Sequence, residues 1–137
     1  GQLLGQFQWE KTASPPDTVE NVQVNPYSGA VYAVTETQLF KSEDHGDSWE
    51  LVLDEGNQFY DRPLDFSNTG AVVFHNKGHI FLSLDEGETW NELSPPYFPG
   101  DILEGVGMSP NGRIFVSSGS YNHFVSDDLG STWATST

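Results

Sequence analysis

An eight-residue pattern occurs three times along this chain. Ser42 to Trp49, Ser83 to Trp90 and Ser126 to Trp133 all read Ser-x-Asp-x-Gly-x-(Ser/Thr)-Trp. The copies begin 41 and 43 residues apart. A repeat of this length holds about four short strands, and such a unit buries its apolar faces only by stacking on a neighbour. The pattern, called the box below, therefore restricts the chain to stacked, similar units.

The residues around each box repeat as well. Turn glycines Gly29, Gly70 and Gly112 fall at matched phase and precede the apolar runs 30–34, 71–74 and 113–116, which read as buried second strands. Residues 20–24, with alternating Val, read as a first strand. Residues 38–41, 79–82 and 122–125 read as third strands, and fourth strands begin at the box Trp. No amphipathic helical pattern interrupts them. Within the box, Gly suits a turn needing positive φ. The Asp and Ser/Thr side chains suit hydrogen bonds to turn backbone, and the Trp suits burial between sheets. The box reads as a structural hairpin staple built from Ser42, Asp44, Gly46, Trp49, Ser83, Asp85, Gly87, Trp90, Ser126, Asp128, Gly130 and Trp133. Its acids lack the alternating oxygen ligands and closing Glu of a calcium loop, so no metal site is assigned.

This box resembles the Asp-box, or bacterial neuraminidase repeat, a family including sialidases, secreted endoglucanases, sortilin-type receptors and a photosystem assembly factor. The resemblance implies a β-propeller in which the box joins the third and fourth strands of a blade, away from any active site. The expected fold is all-β: three four-stranded antiparallel blades plus an extra N-terminal outer strand marked by Trp9. The expected divisions are 1–16 for that strand, then 17–55, 56–96 and 97–137 for the blades. Closed propellers have about four to eight blades, so three blades imply a six-bladed ring completed by a homodimer, a piece of a longer propeller or an open stack of sheets; of these the homodimer is the favoured expectation.

Composition narrows the functions. The net charge is −15, from 5 basic and 20 acidic residues. Such a surface repels phosphate backbones and anionic lipid, which argues against nucleic-acid or membrane partners. No run approaches the eighteen or so apolar residues of a membrane helix. No basic-then-apolar leader opens the sequence, so it reads as mature or trimmed; the acidic charge reads as solubility outside the cell, secreted or periplasmic. Cysteine is absent, which removes disulfide and thiol chemistry.

In a blade, the first-to-second and third-to-fourth turns share one face, and here they are alike in every repeat. The connections on the other face differ: 54–62, 75–78, 94–101 and 117–122. Divergence among repeats marks where a function can be grafted. The candidate ligand-binding residues are Tyr60, Asp61, Arg62, His75, Tyr97, Phe98, Asp101, Tyr121 and Asn122, for a glycan or protein partner and without a cofactor. His79 and His123 read as structural. The competing reading is a glycoside hydrolase, with two carboxylates drawn from Asp61, Asp65, Asp101 and Glu104. The resemblance to sialidases implies a clamp of three arginines. Only Arg62 and Arg113 are present, so sialidase activity is not expected and the chain reads as non-catalytic.

Overall fold

The computed structural model describes residues 14–15, 18–55, 63–76, 78–96, 102–119 and 122–136. Among them run twelve strands and no helix: β1 (Val19–Val24), β2 (Val31–Thr35), β3 (Leu39–Ser42), β4 (Glu50–Leu53), β5 (Leu64–Phe66), β6 (Val72–Asn76), β7 (His79–Ser83), β8 (Asn91–Leu93), β9 (Leu103–Met108), β10 (Ile114–Ser118), β11 (His123–Ser126) and β12 (Ala134–Ser136). They form three four-stranded antiparallel sheets, β1–β4, β5–β8 and β9–β12, each a simple meander. The expected three blades are therefore present.

The sheets stack face to face. Side chains alternate across a strand, so each sheet offers one face to its predecessor and one to its successor. Tyr32, Val34 and Leu39 of the first sheet meet Leu64, Phe66, Val72, Phe74 and Phe81 of the second. Ala71, Val73, Ile80 and Leu82, on the second sheet's other face, meet Leu103, Met108, Ile114, Val116 and Phe124 of the third. Both faces of β6 are thus covered, which is why Val72-Val-Phe74 is apolar throughout rather than alternating. Trp90 and Trp133 rim these two cores, each from the box that ends its third strand.

Polar groups tie the sheets together at the same seams. Gln23 in β1 donates from Nε2 to the Leu64 carbonyl and accepts from the Leu64 N–H, both at 2.8 Å. Asp65, at the matching position of β5, accepts from the Met108 N–H at 2.8 Å. The Tyr32 hydroxyl crosses the first seam to donate to the Glu86 carbonyl at 2.8 Å. Burial and the nearby carboxylates of Glu86 and Glu88 push the Tyr32 phenol far above its ordinary value, so it stays a hydrogen-bond donor.

Lys41 is the most costly of these groups to bury. Its side chain is 1% exposed, and its ammonium reaches Glu43 at 2.8 Å and Glu88 of the next sheet at 3.1 Å. Burial works against the charge. The hydrogen bonds to Glu43 and Glu88 outweigh it and hold the ammonium above its ordinary pKa. A buried cation persists where partners satisfy it, and here one partner belongs to the adjacent sheet.

Candidate functional site

The box turns and the variable connections lie at opposite ends of the strands. Each box joins a third strand to a fourth: β3 to β4, β7 to β8 and β11 to β12. In the second sheet the Glu86 N–H donates to the Gly70 carbonyl at 3.1 Å, which binds the box to the first-to-second turn. The remaining connections leave from the other end.

The three boxes share one hydrogen-bond network. The buried Ser83 hydroxyl donates to Asp85 Oδ1 at 2.8 Å and accepts from the Gly87 N–H at 2.7 Å. Asp85 then accepts from the Thr89 N–H at 2.8 Å and from its hydroxyl at 2.6 Å. Ser42, Asp44, Gly46 and Ser48 repeat this in the first sheet, and Ser126, Asp128, Gly130 and Thr132 in the third. The box glycines have φ of 87–89°. The residue before each is also left-handed: His45, Glu86 and Leu129 have φ of 61°, 56° and 56°. That second left-handed residue has no sequence signature, since His, Glu and Leu share no turn preference. A left-handed non-glycine residue costs backbone energy, and the Ser–Asp network holds it beside the box glycine.

Two expected outcomes follow from this network. Asp44, Asp85 and Asp128 each accept hydrogen bonds first from the Ser48, Thr89 or Thr132 side chain, then from that residue's N–H and from the box Ser. These bonds lower the pKa of each carboxyl from 3.8 to about 2. Each therefore binds its proton more weakly folded than unfolded, and its stabilisation is complete above the unfolded pKa and vanishes as pH falls through the folded one. Urea midpoints should be level above about pH 5 and fall between about pH 4 and pH 2; a midpoint unchanged at pH 2.5 refutes the network's role. Second, Ser83→Ala strands the buried Gly87 N–H and should cost about 1–3 kcal/mol in urea unfolding.

At the opposite end, the described loops are short and braced. The Thr35 hydroxyl accepts from the N–H groups of Thr37 and Gln38 at 3.3 and 3.0 Å and closes the turn between β2 and β3. The Gly119 N–H donates to the Ile102 carbonyl at 2.8 Å, which fastens the β10–β11 loop to the segment entering β9.

The expected binding residues divide three ways. Tyr60, Asp61, Arg62, Tyr97, Phe98, Asp101 and Tyr121 lie outside the described residues. They fall in the β4–β5, β8–β9 and β10–β11 connections, whose flanking strands end on the face opposite the boxes. Asn122 is half-buried, and its carbonyl accepts from the Ser118 N–H at 3.0 Å, so its backbone closes a loop. His75 is a correction. The reading of 75–78 as a variable loop fails because β6 runs on to Asn76 and β7 starts at His79. His75 is only 4% exposed, with its N–H donating to the Pro63 carbonyl at 2.9 Å. A histidine so covered offers no ligand surface.

Asp65 shows what the sequence reading missed. As a candidate catalytic carboxylate it should face a cleft. Instead Oδ2 takes the Met108 N–H and Oδ1 the Phe66 N–H at 2.9 Å, so it serves as an inter-sheet tie. Its alignment with Gln23 was the available signal, since both are long or acidic polar residues at one position of an inner strand. Glu104 is exposed on β9. His79 is exposed rather than buried; its Nδ1 lies 2.5 Å from Glu92 Oε1 and its ring stacks on Phe81.

Comparison with known proteins agrees with this architecture. No protein-family model matches the chain. Vacuolar protein sorting/targeting protein 10 of Ajellomyces capsulatus (strain H143) is 30% identical over 87 residues, which span 63% of this chain and 6% of that protein. The same-named protein of Emericella nidulans is 27% identical over 108 residues, 72% of this chain and 8% of its own length. The chain thus spans less than a tenth of these relatives. Among solved structures, YCF48 from Cyanidioschyzon merolae superposes with a TM-score of 0.68 at 19% identity, covering 91% of this chain and 39% of that one. A structure of YCF48 bound to D1 peptide gives 0.67 at 18%, covering 96% and 44%. The GH74 xyloglucanase from Xanthomonas campestris gives 0.57 at 21%, covering 85% and 21%. The three sheets are blades of a β-propeller.

Proposed function

We propose that this chain is a non-catalytic protein-binding module of the secretory pathway or cell exterior, which holds a polypeptide segment on the loop face opposite the boxes. One observation carries the reading. The acidic groups that give the chain its most regular chemistry are consumed in folding: the box aspartates in their turns, and Asp65 in a seam. That leaves the divergent connections as the surface free to specialise. YCF48 has been seen with a bound peptide and the curated relatives are sorting proteins, which supports a protein ligand over a glycan. The xyloglucanase likeness extends to fold, and Asp65 is not available for hydrolysis. Tyr60, Arg62 and Tyr97 are of the residue types that dominate protein interfaces.

Binding to an array of extended peptides, followed by titration of the best one, tests this. Tyr60→Ala and Tyr97→Ala should each weaken binding by about 1–3 kcal/mol, while Asp47→Ala on the box face leaves it unchanged. Release of reducing sugar from a xyloglucan or sialoside, abolished in Asp101→Asn, would replace the binding module with a hydrolase.

A further inference from the structure

The two internal seams are built on the same places with different chemistry. At the first seam Tyr32 stands out from the first sheet. Its ring packs 5.6 Å from Phe66, and its hydroxyl sits against Gly87, where a Cβ would lie 2.8 Å away. At the second seam Leu93 fills the same place against Gly130, 2.7 Å from a Cβ built there. A projecting side chain from one sheet thus enters a cradle formed by the next sheet's box glycine.

A second shared place lies beside the first. Lys41 pairs with Tyr32 across β2 and β3 and immediately precedes the box Ser42. Its buried ammonium crosses the seam to Glu88, in the second sheet's box, at 3.1 Å. Leu82 pairs with Val73 across β6 and β7 and immediately precedes the box Ser83, so it holds the Lys41 position in the second sheet. Leu82 is buried in the second core. In the third box Ser131 stands where the second box has Glu88. The place that an ion pair fills at the first seam is filled by a leucine at the second.

Strength does not account for that difference. Burying an ammonium sacrifices its hydration, and an apolar side chain of similar size often serves as well or better. Leu82 shows that this fold accepts one here. An ion pair adds intolerance of a wrong neighbour, because a buried charge without its partner is strongly unfavourable. Three sheets built on one box are open to stacking out of order, or with a sheet of another copy, a characteristic failure of repeat proteins. With the first sheet on the third, Lys41 would meet Ser131 and keep only Glu43, which belongs to its own box and travels with it. With the second sheet on the same sheet of another copy, Leu82 would cover Glu88 in place of its cation.

We infer that the Lys41–Glu88 pair fixes the order in which the sheets stack, by fitting the first sheet to the second sheet's box and penalising the other pairings. Glu88 carries the discrimination, since Glu43 accompanies Lys41 into any pairing. Tyr32 works in the same direction less sharply. Its bond to the Glu86 carbonyl is to backbone, which every box offers, whereas a carboxylate at the Glu88 position is missing from the third. The pair is thus an address on one seam, and the apolar second seam is left to the remaining two sheets.

Two double variants of the 137-residue chain test this. Lys41→Leu with Glu88→Ser gives the first seam the residues of the second. Lys41→Met with Glu88→Gln removes both charges at nearly native side-chain length. Each is unfolded in urea and refolded by dilution at about 1 μM to about 100 μM, the range in which exposed sheet surface misassembles. Light scattering sizes the product, and the near-ultraviolet spectrum of the tryptophans reports native packing. The urea midpoints of both variants should equal or exceed the wild type's. The wild type's native yield should hold across the range. The variants' yield should fall several-fold towards high concentration, the remainder being β-rich oligomers that persist on dilution. Variants whose yield follows the wild type's overturn the inference. A lowered midpoint in both variants overturns it too, whatever the yield, because the pair then holds the seam by strength.

Discussion

Tyr32→Ala should lower the free energy of unfolding by about 3–5 kcal/mol, the usual cost of deleting a buried aromatic. Tyr32 is fully buried, belongs to the first core and spans the seam between the first two sheets. Its loss removes the ring from Phe66 and opens the cradle at Gly87. A domain has about 5–15 kcal/mol in total, so this one change should take a large share. Tyr32→Phe keeps the ring and loses the bond to the Glu86 carbonyl, so it should cost about 1 kcal/mol. Urea midpoints at constant slope measure both. A Tyr32→Ala loss under about 1 kcal/mol would mean the sheets do not depend on one another at this seam.

The contrast between those variants explains what the sequence disclosed. The architecture was legible because it is written in repeated, local terms. Turn glycines, apolar runs and the box recur at one phase, and each strand given bounds from the sequence lies within two residues of them, with β6 and β10 each running two residues past the expected end. The β6 extension was hidden because His75 and Asn76 look like loop residues. They are strand because β7 pairs with them, His75 with Ile80 and Asn76 with His79, leaving only two residues for the turn.

The seams were less legible, because their chemistry does not repeat in residue type. Gln23, Asp65 and Gly107 occupy one position with three different side chains, and only the neighbouring sheet reveals that two of them reach across. Lys41 reads as a surface lysine on a strand beside acids. Its near-complete burial depends on Glu88, forty-seven residues away. Long-range pairs of this kind leave no periodic trace. The loop face poses the same difficulty in stronger form, because connections that diverge between repeats share no residue pattern from which a ligand could be read.

Gly87→Ala is expected to be strongly destabilising, for reasons separable by a control. Gly87 has φ of 88°, a conformation costing an L-residue about 1–2 kcal/mol. Its new Cβ would also lie 2.8 Å from the Tyr32 hydroxyl and 3.1 Å from its ring edge. Tyr32 is held in the core and cannot swing away, so overpacking should add about 1–3 kcal/mol. Gly29→Ala supplies the comparison. Its φ is 79°, and nothing lies within 4 Å of a Cβ there, so only the backbone cost should appear. The difference between the two variants, read from urea unfolding, isolates the cradle. Combining Gly87→Ala with Tyr32→Leu should recover part of the loss, since the shorter side chain vacates the contested space. The losses should then be less than additive, as expected for residues in contact. If Gly87→Ala and Gly29→Ala cost the same, the projecting Tyr32 side chain does not fit its cradle tightly, and the first seam does not depend on that contact.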